Sequence, residues 1–413
     1  MKLAYTLSAA LVALLGNTAH AAPFSLNYLG QNIVASGTQF NGTTVGGLSG
    51  IDYDSVNGRY LAISDDRSSL NPARYYDLNL NLALFNKNQT PGAAGVSFNS
   101  VTNILTPSGT PFASNTVDPE SMRLKNGSLF WANEGQRTAN GFQNPTVREM
   151  DLNGNYVRDF SVPAHYNPTG SATGLASGDK GIRNNLAFES LTFSNDGKTL
   201  YTATENSLAQ DDALPATVLN GSESRVLAFD STSGNAIGEY VYATDAVVDS
   251  PIPVTNFATN GLVELLNVPG LSDTFIAIER SFSAGIPGTG NNIRLYLTSL
   301  QDASNLLGAD DLDHAGAYTS MKKELLLNLG TLTNNDGSKL ALDNIEAITW
   351  GATFNGNPTL VLASDNNFSA SQFSQFLAFE VTAVPLPAAF PLFGSALLGF
   401  ALQGWRKKGR KSA

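Results

Sequence analysis

Short apolar-rich runs, each bounded by Gly, Asn or Asp, recur along the chain and read as β-strands rather than helices. The clearest unit lies mid-chain. FESLTFS is followed by the hairpin-forming Asn195-Asp196-Gly197, then by KTLYTATE, SRVLAFD and GEYVYAT, which makes four strands in succession. The remaining chain can be laid on this frame. RYYDLNL, VREMDL, IRLYLTSL and QFLAFEV take the place of the third strand, and Asn57-Gly58, Asn126-Gly127 and Asn355-Gly356 sit in or near the first turn.

A pair of motifs marks each unit. The first halves read GLSGIDYD (Ser49), DPESMRL (Glu120), FESLTFS (Glu189), TNGLVELL (Asn260) and NIEAITW (Glu346), at steps of 71, 69, 71 and 86 residues. The second halves follow 14–19 residues later: YLAISDD (Asp65), LFWANEG (Glu134), LYTATEN (Glu205), FIAIERS (Glu279) and LVLASDN (Asp365). Self-similarity at this period predicts an all-β fold, a single β-propeller over residues 24–382 with five four-stranded blades. The fifth blade lacks a fourth strand before residue 384, and FSLNYLGQNIV (24–34) is expected to supply it and close the ring. A sixth blade hidden in the insertions is the alternative. Three insertions, 169–183, 207–223 and 302–319, are long enough to wall one mouth of the channel.

Composition narrows the function. Charged residues make up 14% of the chain, Gly numbers 38 and Cys is absent. Disulfides, zinc–thiolate sites and thiol nucleophiles are therefore excluded. Lys2, an apolar run over 3–15 and Ala19-His20-Ala21 form the pattern of a secretory signal peptide, residues 1–21. At the other end VPLPA precedes an apolar run over 388–405, which is followed by Arg406, Lys407, Lys408, Arg410 and Lys411. That run is long enough to span a bilayer with its basic end cytoplasmic. The order of motif, span and basic tail over 384–413 resembles the PEP-CTERM sorting signals, in their VPLPA variant. The resemblance implies exosortase processing, transient anchoring in an inner membrane, an exported or outer-envelope location and an association with exopolysaccharide. A plain membrane anchor is the alternative. Loss of Lys2 and the five basic tail residues takes the net charge from −11 to −17. So acidic a domain argues against nucleic acid as a partner. A monomer is expected.

In a propeller the first strand of each blade lines the central channel, so position-matched acids converge on one axis. Asp65, Glu120, Glu189, Glu205, Glu346 and Asp365 are the candidate ligands of a divalent cation, Ca²⁺ or else Mg²⁺ or Mn²⁺. Arg67, Arg74, Arg137, Arg183 and Arg280 are the candidates for holding the anionic part of a substrate. Glu134 and Glu279 remain as candidate general bases. The plainer reading of each acid is a hydrogen bond to the backbone of the next blade. No G-x-S-x-G elbow is present, and His165 and His314 lie outside the motifs, which disfavours a Ser-His-Asp hydrolase. Three functions fit: a metal-dependent hydrolase of small anionic phosphate or carboxylic esters, a calcium-dependent lactonase, and a non-catalytic propeller that binds an envelope polymer.

The motifs GLSGIDYD…YLAISDDRS, DPESM…WANEG, GIRNNLAFESLTFSNDGKTLYTATENSLAQDD, NGLVELL…FIAIERSFSAG and DNIEAITW…LVLASDNNFS together resemble the bacterial "esterase-like activity of phytase" family, over about residues 46–381. The resemblance implies a phytase-like propeller acting on ester bonds, similar in broad design to the calcium-dependent propeller phytases. Where those phytases surround phosphate with lysines, the motif cations here are nearly all arginines.

Overall fold

Among the described residues, twenty strands fall into five sheets of four, each built from consecutive chain except at the seam. The computed structural model describes residues 23–383. Blade one comprises Leu48–Asp54, Arg59–Ser64, Arg74–Leu80 and Val96–Asn103. Blade two comprises Pro119–Lys125, Ser128–Asn133, Thr146–Asp151 and Tyr156–Asp159. Blade three runs Phe188–Phe193, Thr199–Thr204, Ser222–Asp230 and Ala236–Thr244. Blade four runs Ala258–Asn267, Thr274–Ser283, Asn291–Ser299 and Lys322–Asn328. Blade five takes Asn344–Phe354, Asn357–Asp365 and Phe373–Ala383 from the end of the chain, and its outer strand, Phe24–Ala35, from the beginning. The ring is therefore closed by pairing the first strand with the last, as the sequence predicts. The three long insertions form no further blade.

Turn chemistry sets the hairpins. Asn126-Gly127 and Asn355-Gly356 both take positive φ at both residues, the conformation a tight two-residue hairpin needs. Apolar side chains from adjoining sheets then pack face to face. Leu61 and Ile63 of blade one meet Met122, Leu129 and Trp131 of blade two, and Ala203 and Val226 of blade three meet Leu262 and Ala277 of blade four.

The five first strands contact one another around the axis. Each carries an irregularity in its pairing near its start: between Leu48 and Gly50, Pro119 and Met122, Phe188 and Ser190, Leu262 and Glu264, and Ile345 and Ala347. A bulge re-aims a side chain that regular pleating would send elsewhere. Deeper in the channel an ion pair joins the blades. Arg123 lies 3.0 Å from Glu264 and donates to the carbonyls of Ile51, Met122 and Leu265. Glu264 in turn accepts from Ser121 Oγ, Leu191 N and Leu265 N.

One expectation is corrected. Among the described residues no helix is long and apolar enough to cross a membrane, so the membrane-anchored, transmembrane reading has no support in the structure. The segments on which the signal peptide (1–21) and the sorting signal (384–413) were placed lie outside the described residues.

Candidate active site at the channel mouth

The acids at the strand ends are placed by hydrogen-bond register. The backbone N–H groups of Asp65, Glu134 and Glu205 bond to the carbonyls of Gly47, Asp118 and Ala187, just before each inner strand. Asp365 pairs with Asn344 in the same way. In blade four the residue opposite the corresponding Gly261 is Arg280, while Glu279 lies opposite Leu262. The second motif of this blade is thus shifted by one from the sequence alignment. A base stands where the other four blades present an acid, and the neighbouring Glu279 is turned to the other face of the sheet. The bulge position of this blade falls on Val263, three residues beyond Asn260, so the first motif is displaced further than the second.

A cavity of about 640 Å³ opens at this end of the channel, and all six acids assigned as metal ligands line it: Asp65, Glu120, Glu189, Glu205, Glu346 and Asp365. Of the five arginines, Arg67 and Arg280 line it. Arg280 lies 3.1 Å from Glu205 and 3.3 Å from Glu346, bridging blades three and five. Arg67 lies 2.5 Å from Asp118 and 3.6 Å from Glu134, and donates to Asn185 Oδ1 at 2.8 Å. Glycines make room for this crowding. A Cβ on Gly261 would stand 2.1 Å from Glu205 Cγ, and one on Gly47 would stand 1.9 Å from Asp65 Oδ1.

The other candidates lie elsewhere. Glu279 is saturated by Tyr242 Oη, Asp245 N, Asn260 Nδ2 and Lys323 Nζ at 2.5–3.1 Å, and joins blade four to blade three. Arg74 is buried against Asp66, Tyr76 Oη and the Thr44 carbonyl. Arg137 donates to four carbonyls, those of Thr169, Ser171, Lys180 and Ile182, and so organises the first insertion. Arg183 does the same through Gly174, Ser207 and Asp212. Carbonyl oxygens at insertions need donors, and the arginines whose forks are used up this way do not face the cavity. Glu134 is buried beside the cavity, its Oε1 accepting from Ala187 N at 2.9 Å.

Two participants were not singled out from the sequence. Asp118 lies two residues before Glu120, on the same face of an extended chain. With Glu120 and Glu134 it forms a buried trio whose carboxylate oxygens lie within 4.8 Å of one another. Asn344 donates to both Glu346, at 2.9 Å, and Asp365, at 3.2 Å.

So many carboxyls in one place raise one another. Burial pushes Glu120 well above the ordinary range, with Glu189 and Asp118 adding to it. Glu189 is raised by burial and then by Glu134, Glu205 and Glu346, against the pull of Arg280. Asp65 is raised by burial, Asp365 and Asp118. Glu346 is pushed up to about 7 by burial in spite of Arg280, and Asp365 to about 8 by burial and Glu346. Burial alone would lower the two arginines, but the carboxylates around them push both up.

A divalent cation fits this donor set. Asp65 Oδ1 and Glu205 Oε2 are buried oxygens with no hydrogen-bond partner, Glu205 being only 1% exposed. Unpaired hard oxygens in a field of like charge are what Ca²⁺ or Mg²⁺ coordinates. A cation at the Asp118, Glu120 and Glu134 trio would share it with the Arg67 guanidinium.

The family model for "Phytase-like: Esterase-like activity of phytase" matches residues 43–368. No curated protein matches the sequence. Among solved structures, the chain is similar to a Dos1 propeller (7% identity, 83% of this chain and 72% of that one, TM-score 0.32). It is also similar to the hydrazine synthase of Kuenenia stuttgartiensis (12%, 80% and 81%, TM-score 0.34). A third likeness is to an exo-1,5-alpha-L-arabinanase from a bovine ruminal metagenomic library (9%, 83% and 95%, TM-score 0.36). Likenesses this distant carry no argument about function.

Proposed function

The chain belongs to the phytase-like family described by esterase-like activity of phytase, and from that premise we propose that the acid-lined cavity is the active site of a cation-dependent hydrolase of ester bonds. Family membership supports a hydrolase at the level of the family. The observation that carries the reading further is that six carboxylates from four blades line one cavity, with the buried oxygens Asp65 Oδ1 and Glu205 Oε2 unpartnered.

Asp65, Glu120 and Glu189, which no base pairs with at close range among the described residues, would hold a divalent cation together with the unpartnered Oε2 of Glu205, with Ca²⁺ the first candidate. When bound, such an ion polarises the ester oxygen and lowers the pKa of a water beside it. Arg280, whose Nε has no hydrogen-bond partner, offers a donor to the polar end of the substrate. Glu346, raised to about 7 and steadied by Asn344 and Arg280, is poised to exchange a proton near neutral pH. It takes the proton of the attacking water as the water oxygen bonds to the acyl or phosphoryl centre. It returns that proton to the alcohol oxygen as the ester bond breaks. Glu346 thus takes the base role first assigned to Glu134 and Glu279.

The test is metal analysis of the purified protein, then thermal shift and turnover with and without chelator on phosphomonoesters, short acyl esters and lactones. Calcium-dependent turnover on one of these, with a melting temperature that rises with calcium, supports the proposal. Absence of tightly bound metal, of any calcium shift at millimolar concentration and of turnover refutes it.

A further inference from the structure

One bank of the cavity is apolar. Leu186, Pro215, Ala216, Phe257 and Phe282 line it alongside the acids and arginines. They come from the lead into blade three's first strand, from the 207–223 insertion, and from both ends of the first hairpin of blade four. The bank is built rather than loose. Ala216 N bonds to Asn206 Oδ1 at 2.8 Å, and Asn206 Nδ2 bonds to the carbonyl of Asn260 on the inner strand at 3.0 Å. Val247 N bonds to Thr217 O, Ile252 N to Ala284 O, and Ala284 N to Phe257 O, each at 2.9 Å. These bonds hold the insertion, the blade-four lead-in and the hairpin together as one wall. Phe257 stands on that wall 65% exposed, with its ring centroid 6.1 Å from that of Phe282. Ile252 and Val254 just before it are also exposed.

The opposite character of the rest of the lining matters as much. Among the described residues, seven carboxyl side chains and two guanidiniums line the cavity and no lysine does, and both arginines are already paired with acids. A substrate carrying many phosphates would meet repulsion that one bound cation does not cancel. An exposed ring, Phe257, packed on a half-buried one, Phe282, beside a polar reacting centre suits a ligand that is apolar at one end and polar at the other.

We propose that Phe257 and Phe282 form a specificity wall that selects esters of apolar, aromatic-sized groups and disfavours polyphosphorylated substrates. The proposal rests on the cavity being the ester-hydrolysing site, and it names the substrate class of that site. The ester's polar end faces Arg280 and the acids, and its apolar half lies on the two rings.

The experiment separates the two readings by measuring binding apart from turnover. Affinities of 2-naphthyl phosphate, methyl phosphate and inositol hexakisphosphate are measured by calorimetry with saturating calcium and again with chelator, on the wild type, Phe257→Ala and Phe257→Asp. Loss of a ring contact in an apolar subsite is worth about tenfold or more. The naphthyl compound should bind the wild type at least about tenfold more tightly than methyl phosphate. That preference should fall about tenfold in Phe257→Ala and further in Phe257→Asp, with melting temperatures close to wild type because the ring is exposed. Where any ester is turned over, the ratio of kcat/KM for naphthyl over methyl esters should fall in parallel. Preferential naphthyl binding without turnover keeps the wall and removes the hydrolase reading. Equal affinity for naphthyl and methyl phosphate, tighter binding of inositol hexakisphosphate, or an unchanged preference in both variants overturns the wall.

Discussion

Replacing Arg280 by Met tests the architecture of the site at its most asymmetric point. Arg280 is the one base in a ring position that the other blades fill with Asp65, Glu134, Glu205 and Asp365, and it lies 3.1 Å from Glu205 and 3.3 Å from Glu346. Its side chain is only 12% exposed, so each attraction is worth on the order of 4 kcal/mol at an intermediate effective dielectric. Methionine keeps most of the volume and removes the charge. Breaking a buried pair by deleting one partner costs about 3–5 kcal/mol when the remaining group stays ionised. Here the remaining acids can escape by taking up protons, and that gives the prediction its pH dependence. Burial already holds Glu205 and Glu346 above their ordinary values, and Arg280 pulls both down. Without it both rise further. A carboxyl with a folded pKa above its unfolded value contributes stability in acid, and that contribution is lost as pH rises from the unfolded value through the folded one. The deficit of Arg280→Met relative to wild type should therefore be small at pH 5, begin to open as the pH rises through the wild-type Glu346 value of about 7, and keep growing towards pH 9 as the variant's acids ionise at their higher values. For a chain of this size the full deficit corresponds to roughly 5–10 °C in melting temperature. Calorimetric melts in chelator at pH 5, 7 and 9 read it directly. An equal loss at all three pH values, or none at pH 9, would refute the electrostatic account and leave Arg280 as a packing residue.

Gly261→Ala should displace Glu205, because its Cβ would fall 2.1 Å from Glu205 Cγ; calcium-induced thermal stabilisation should drop while the far-UV spectrum is unchanged, and a variant with the wild-type calcium response would contradict the packing. Glu189→Gln relieves like-charge crowding, so it should raise the chelated protein's melting temperature at pH 8 by a few degrees and weaken calcium binding at least about tenfold; the opposite signs would remove it from the cation site. Glu264→Gln leaves Arg123 buried with its carbonyl partners but no counter-charge, and should cost about 3–5 kcal/mol in urea unfolding, whereas the Arg123→Met, Glu264→Leu double variant should cost far less; similar losses in the two would show that the channel depends on the pair's hydrogen bonds.

Local chemistry made most of the fold legible. Strand-like runs, Asn-Gly turns and the paired motifs are properties of neighbouring residues, and they point to five blades, the seam strand at 24–34 and the convergence of Asp65, Glu120, Glu189, Glu205, Glu346 and Asp365, all of which the structure shows. Asp118 was within reach of the same reasoning, since it is two residues from Glu120 in an extended segment. The arginines were not. Arg74, Arg137 and Arg183 sit beside motif residues just as Arg67 and Arg280 do, and nothing in their neighbourhood says whether the fork meets a cavity or a set of backbone carbonyls.

Sequence by itself therefore indicated what repeats: the strands, five blades with a sixth left open, and the marking acids of four of the five blades. Tertiary structure decided direction. In FIAIERS an acid and a base are adjacent, and a one-residue change in pairing exchanges which of them faces the axis. The register of Gly261 with Arg280 and Leu262 with Glu279 settles that, and it arises from pairing across the sheet and a bulge near Val263 rather than from any local preference. The same holds for the apolar wall, whose residues come from three separated segments that meet only because the insertion and the blade-four loops bond to one another around the cavity.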